Sequence, residues 1–327
     1  MYDLVTFGET MLRLAAPRFQ RIEQATCFES TAGGSEMSVA CGAARLGMEA
    51  AWVSRLPESP LGRLIRNKAR EMGVDTRHIV WAKGERLGIY SVEQGASPRA
   101  SSVLYDRADS AFSRIQPGEV AWDAVMKDAR AFFVSGISPA LSPSAAQVTT
   151  EAIDVAGANG LLVFYDLNYR SKLWSEAEAR ACQVPLMEKV DVLITTEEDT
   201  NRVFGIQGTD YAEVAQKLAD RFGFKAVTIT LRGTPSVWRN TWTAIAYADG
   251  ELYTDRTYDI EVVDRIGGGD AYSAGFIFGY LADGVQAAVR YGNAFSALKQ
   301  TSWGDLSWAT RAETEALLGG SGLRIDR

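Results

Sequence analysis

Histidine is almost missing from this chain of 327 residues: the one histidine, His78, stands before the apolar run Ile79-Val80-Trp81 and reads as a strand-edge residue. Without an imidazole to spare, Ser-His-Asp and Cys-His chemistry and histidine-built metal sites lose their centre. Acid–base work falls to carboxylates, lysine or tyrosine. Cysteine is scarce too. Cys27, Cys41 and Cys182 lie far apart with no CxxC spacing, which argues against disulfides and a zinc site and fits a reducing compartment. No stretch is apolar enough to cross a bilayer, and "MYDLVTFGE" carries an acid where a secretory leader needs bases. A cytoplasmic protein with no membrane partner is the expectation. Positive charge is also short: 34 Lys and Arg against 41 Asp and Glu give a net charge of −7, which argues against a nucleic-acid partner. The basic cluster "GRLIRNKAR" (62–70) has the spacing of a solvated helix face. No Gly-Lys pair occurs, so there is no Walker A loop, and the Rossmann GxGxxG pattern fails beyond Gly269.

What is present is an ordinary apolar supply, 46% of residues, enough for one large domain or a main domain with an appendage. "YDLVTFGE" reads as a buried strand, "GGSEMSVACGAARLG" (33–47) as a helix closed by Gly47, "AAWVSRL" as a second strand and "SPLGRLIRNKAREMGV" as a second helix. This βαβα order predicts a parallel sheet covered by helices. The rhythm breaks at "LRLAAP" and again over 78–106, where "HIVWAK", "GIYSVEQG" and "ASSVLYD" predict short strands without helices. Two β insertions into an α/β body predict a small separate sheet, placed as a lid. We set the main domain at 1–11, 31–80 and 117–327 and the lid at 12–30 and 81–116. Alternation resumes with "AFFVSG", "LLVFYDLN", "DVLITT" and "AVTITL". Then come a meander ("SVWRN", "TAIAYADG", "ELYTD"), two helices ("DAYSAGFIFGYLADG", "VQAAVRYGNAFSALKQT") and a loose tail, "GGSGLRIDR".

The segment "DRIGGGDAYSAGF" (264–276) sets three glycines between a charged stretch and a helix start. Exposed N–H groups and the positive end of the helix dipole make that arrangement an anion site. Asp270 ends the glycine run, where a carboxylate is either a plain N-cap or a proton acceptor beside a transferring phosphoryl group.

"DRIGGGDAYSAGF" resembles the C-terminal signature of the ribokinase-like (PfkB) carbohydrate kinases, and "GGSEMSVACGAARLG" is similar to their N-terminal signature. The two occur in order and the likeness runs over nearly the whole chain, β insertions included. It implies a ribokinase-like three-layer α/β/α domain with a mainly parallel sheet and a small β lid. It implies Asp270 as catalytic base, the amides of Gly267, Gly268 and Gly269 as anion hole, and Asp264 as local support. ATP would lie along Thr196, Arg232, Gly233 (in "VTITLRGTPSVW", where a strand ends in a glycine turn), Gly267, Gly269 and Asn293. "ITTEEDTNRVFG" stands where the family has Asn-x-x-Glu near Mg²⁺, with Thr196 and Asp199 at those positions, making Asp199 the candidate metal residue.

"FYDLNYRSKLW", "SSVLYDRADSAF" and Gly8-Glu9 resemble the 2-keto-3-deoxygluconate kinases within that family. The likeness implies a sugar-acid substrate on Gly34, Tyr90, Tyr105, Arg107, Asp166, Asn168, Arg170 and Asp270. Its carboxylate would be clamped by Arg107 and Arg170, since guanidinium pairs with carboxylate in a bidentate fork. The alternatives are a kinase for a neutral sugar such as fructose or ribose and, from another class, a non-catalytic sugar-binding regulator. A lid sheet that pairs with its twin would give a homo-oligomer.

Overall fold

The computed structural model describes residues 1–320; the expected loose tail falls largely on 321–327, outside the described residues. The strands are β1 (Leu4–Phe7), β2 (Met11–Ala15), β3 (Glu29–Gly33), β4 (Ala50–Val53), β5 (Arg55–Pro57), β6 (Val80–Ala82), β7 (Ile89–Glu93), β8 (Ser102–Asp106), β9 (Ala131–Ser135), β10 (Leu162–Asp166), β11 (Val192–Thr195), β12 (Ala226–Ser236), β13 (Arg239–Ala248), β14 (Glu251–Thr254) and β15 (Tyr258–Glu261). The main sheet runs β14-β13-β12-β11-β10-β9-β1-β4, with β15 also on β13. From β12 to β4 every pairing is parallel; β13, β14 and β15 join antiparallel.

The central strands are apolar on both faces because helices cover both. Leu4, Ala131 and Phe133 face one core, shared with the helices Ser35–Arg45 and Gly268–Gln300. Val5, Phe7, Phe132 and Val134 face the other, shared with Pro143–Ala158, Glu176–Met187 and Tyr211–Phe222. Those last three helices begin at Ser142, Ser175 and Asp210, whose side chains each accept the amide three residues on, the usual N-cap bond. The long C-terminal helix is broken at Asp283 and Gly284 (φ 76° at the glycine), which divides it into the two helical stretches read from sequence.

A second sheet, β3-β2-β7-β8, stands apart from the first. Its inner face, built from Met11, Ala15, Tyr90 and Val92, packs against Ile266 and Trp303 of the main body. The sheet spans residues 11–33 and 89–106. "HIVWAK" gives β6, which pairs with β5 instead of joining this sheet, and Phe112 and Ile115 are already in the main core beside Phe7. The late meander also differs from its reading: "AVTITL" and "RGTPS" form one eleven-residue strand, β12, hairpinned onto β13. The three cysteines are free, and among the described residues no helix is long and apolar enough to cross a membrane.

Candidate active site

The carboxyl ends of the parallel strands and the inner face of the second sheet line a cavity of about 1120 Å³. In open α/β sheets this is where ligands sit. Asp166 ends β10, Thr196 follows β11, and the 264–270 turn leads from β15 into the long C-terminal helix.

The turn is set by Gly267. Its φ of 83° is left-handed, and a Cβ there would stand 2.0 Å from the carbonyl oxygen of Asp305, so no side chain is tolerated. Gly269 is the opposite case: it is exposed, a Cβ would meet nothing within 4 Å, and it lines the cavity with Gly267. Neither amide has a backbone partner among the described residues. The expected third member of the anion hole fails. Gly268 donates its N–H to the carbonyl of Arg265 at 3.2 Å and does not line the cavity, because the tight turn that aims its neighbours consumes its own donor.

Asp270 follows in the first helical turn. Its Oδ1 accepts a 2.7 Å hydrogen bond from Ser35 Oγ. Ser35 opens the helix of the N-terminal Gly-Gly motif, so two helix N-termini meet at this carboxylate. Behind Ser35, Gly34 lies so close to Glu9 and Thr10 that a Cβ would be 2.2 Å from the Glu9 carbonyl oxygen. Burial raises the pKa of Asp270 above the usual carboxylate value; the Ser35 bond and the charges of Arg170 and Lys299 oppose this, and Asp305 adds to it. Asp166 is pushed further up, by burial and then by the charges of Asp270 and Asp199. Its Oδ1 accepts the amide of Asn168, which sits at φ 37°. Asp199 is raised by burial and restrained by Arg170. Three carboxylates thus share one corner with one guanidinium.

That guanidinium is free. Arg170 lines the cavity, is exposed, and makes no ion pair among the described residues. Arg107 is not. Its Nε donates to Glu9 Oε2 at 2.9 Å and its Nη2 to the same oxygen, so the expected two-arginine clamp reduces to one arginine with unspent charge. Arg107 lies 5.7 Å over the ring of Tyr105, which stacks at 5.8 Å on Tyr90. Tyr90 lines the cavity but donates its hydroxyl to Asp305 Oδ2.

Across the cavity, Arg232 and Arg265 both line the wall and neither has a carboxylate partner among the described residues. Burial, and then the Arg232 charge, hold the pKa of Arg265 below its ordinary value. Two like charges left facing each other suit an anion. Sequence reading named Arg232 and passed over Arg265 and Ser35, although both sit inside the quoted motifs. Thr196 caps its helix, accepting the Asp199 amide at 3.1 Å. Gly233 is a correction: it lies inside β12 opposite Thr241, not in a terminal turn, and is off the cavity wall. Asn293 is another, for it is fully buried, off the wall, with neither amide atom bonded to described residues.

The pfkB carbohydrate-kinase family model matches residues 1–309. The chain belongs to that family. This PfkB kinase is 42% identical over 326 residues to a 2-dehydro-3-deoxygalactonokinase from Haloferax volcanii, covering 99% of each chain. The crystal structure of a 2-dehydro-3-deoxygluconokinase from Thermotoga maritima superposes with a TM-score of 0.94 at 39% identity, covering 98% of this chain and 99% of that one. A putative ribokinase II from E. coli, solved with ATP and Mg²⁺, shares the fold at 21% identity and a TM-score of 0.85, covering 98% and 100%.

Proposed function

We propose that this PfkB kinase transfers the γ-phosphoryl group of ATP to the primary hydroxyl of 2-keto-3-deoxygluconate. The observation that carries the reading is the set of cations without a carboxylate partner on the cavity wall, Arg170, Arg232 and Arg265, around a turn that offers two free amides and one half-buried carboxylate. Arg170 takes the sugar-acid carboxylate in a bidentate, charge-assisted pair. A neutral sugar would leave that guanidinium without a direct ion-pair partner once the lid excludes water, with only the more distant charges of Asp166, Asp199 and Asp270 to balance it. Arg107, already balanced by Glu9, contributes donors to sugar oxygens beside Tyr105. Arg232 and Arg265 hold the nucleotide phosphates.

In the transfer step the hydroxyl oxygen bonds to the γ-phosphorus while the bond from phosphorus to the β,γ-bridging oxygen breaks. The bridging oxygen keeps its electron pair and leaves with ADP. The hydroxyl proton passes to Asp270, and the Gly267 and Gly269 amides hold the charge on the migrating group. Mg²⁺, when bound, supplies neutralisation of phosphate oxygens. The donor set fits such an ion: Asp166 and Asp199 offer hard oxygen donors on the wall. No group of three or more His, Cys, Asp or Glu among the described residues closes a cage, and Mg²⁺ usually keeps several waters.

One observation favours the C4 epimer, 2-keto-3-deoxygalactonate, as a second reading: the relative at 42% identity bears that name. Coupled ADP-release assays over both epimers, fructose and ribose test the proposal. A kcat/KM at least about 100-fold higher for a sugar acid than for either neutral sugar is expected from one desolvated charge pair. Equal use of a neutral sugar refutes the sugar-acid assignment.

A further inference from the structure

Arg13 is a lid residue, in the second strand of the β3-β2-β7-β8 sheet, and it is completely buried. Its guanidinium leaves the lid and enters the main body. Nη2 donates to Asp264 Oδ2 at 2.6 Å and Nη1 to Asp305 Oδ1 at 2.7 Å, partners 251 and 292 residues away. Both carboxylates are themselves built into backbone. Asp264 accepts the amide of Ile266 on Oδ1 (3.1 Å) and that of Gly304 on Oδ2 (3.2 Å). Its carbonyl oxygen accepts from Lys299 Nζ at 2.9 Å. Asp305 takes Arg13 on one oxygen and the Tyr90 hydroxyl on the other, and its own carbonyl is the atom that Gly267 approaches so closely. Gly33 leans on the same residue, since a Cβ there would be 2.4 Å from Asp305 Oδ2. The floor beneath the amides of the transfer turn is therefore two carboxylates joined by a single guanidinium.

We propose that Arg13 is a positioning residue for phosphoryl transfer: by bridging Asp264 and Asp305 it fixes the 264–270 turn, and so the aim of the Gly267 and Gly269 amides and of Asp270. The role rests on the kinase reading above, but the geometry it explains does not. A guanidinium suits the task because its planar fork reaches two carboxylates at once, which an ammonium cannot do in the same directions. Burial explains why the link is specific: with Arg13 fully covered and both acids nearly so, water offers no substitute pairing. The Arg13 side chain does not line the cavity; it acts through Asp264 and Asp305.

The test compares Arg13→Lys and Arg13→Ala with the wild type by amide hydrogen exchange and by steady-state kinetics. Exchange across 262–272 and 303–306 rises in Arg13→Lys by about tenfold or more while the main-sheet strands stay protected, as expected when one local unit loosens in a folded protein. In parallel, kcat falls by about 10²-fold with the KM for ATP within about threefold, the pattern of a lost transition-state interaction. Millimolar guanidinium restores part of the kcat of Arg13→Ala, and equal KCl does not; a merely structural defect would not respond in this way. Unchanged exchange in the turn, or a uniform rise across the whole protein, overturns the proposal whatever the substrate proves to be. Wild-type kcat in folded Arg13→Ala overturns it equally. A wild type that phosphorylates a different sugar removes the substrate assignment and leaves the exchange result standing.

Discussion

Replacing Asp270 by Asn tests the chemistry with the least disturbance of shape. The amide keeps the volume of the side chain and an Oδ1 that Ser35 Oγ, now at 2.7 Å, can still reach. The fold and the Gly267 turn, which is fixed by backbone and by Asp305, are left intact. What disappears is the proton acceptor. General-base catalysis contributes 10²–10⁴-fold, which corresponds to a barrier higher by about 2.7–5.4 kcal/mol at 1.36 kcal/mol per tenfold. The drop should lie in kcat, with the KM for ATP near that of the wild type, because Arg232, Arg265 and the two free amides remain. A coupled ADP-release assay reads kcat and KM, and fluorescence-monitored nucleotide binding checks that the site still loads. The pH profile adds a second readout. Since burial holds the folded pKa of Asp270 above the ordinary carboxylate value, the active anion forms only at higher pH, and the acid limb of kcat/KM lies above that of an exposed aspartate. Ser35→Ala removes a bond that favours the anion, so it moves that limb further up. A kcat for Asp270→Asn within tenfold of the wild type would refute the reasoning.

Four further outcomes follow from the geometry. Arg170→Ala should raise the KM for the sugar acid by about 10²-fold, the worth of a charge-assisted pair, and hardly change residual use of fructose in the same assay. Gly267→Ala and Gly269→Ala should diverge: the first meets a carbonyl oxygen at 2.0 Å in a left-handed conformation and loses activity and thermal stability, while the second meets nothing and keeps its melting temperature but binds ATP more weakly. Arg232→Ala and Arg265→Ala should each raise the KM for ATP by about tenfold or more, with the sugar KM little changed. Asp166→Asn should raise the melting temperature at pH 7. The folded state holds Asp166 protonated to higher pH than the unfolded chain does, so stability is lost as pH rises between those two values, and the gain should shrink as pH falls toward 4, near the ordinary aspartate value.

The fold was legible because its cues are local. Apolar runs bounded by glycine, the Ser-Pro start of "SPLGRLIRNKAREMGV", and the helix-free stretch over 78–106 each state their element within a few positions. The two glycine motifs were legible for the same reason, and the family match extends over the residues that carry them. What escaped was every partnership between distant segments. Arg13 reads as one charged residue in "LRLAAP", and only the folded chain sets it against Asp264 and Asp305. Arg107 looks as available as Arg170 until Glu9 is seen to hold it. Gly268 is indistinguishable from its neighbours in "GGG", yet the turn they make together uses its amide. Asn293 is a polar residue at helical spacing, and nothing in its surroundings along the chain announces that it is buried. Gly233 suggests a turn by composition, but cross-strand pairing with Thr241 carries the strand through it.

The central claim is that a hydroxyl on a carboxylate-bearing sugar, seated on Arg170, takes a phosphoryl group at the Asp270 corner. Phosphorus NMR of the purified enzyme with ATP, Mg²⁺ and 2-keto-3-deoxygluconate tests it most directly. The account predicts a new phosphomonoester coupled to the protons of the primary carbon, formed mole for mole with ADP and formed about 10²–10⁴-fold more slowly by Asp270→Asn. ADP released with inorganic phosphate alone, or the ester formed as readily by the Asp270 variant, would contradict it.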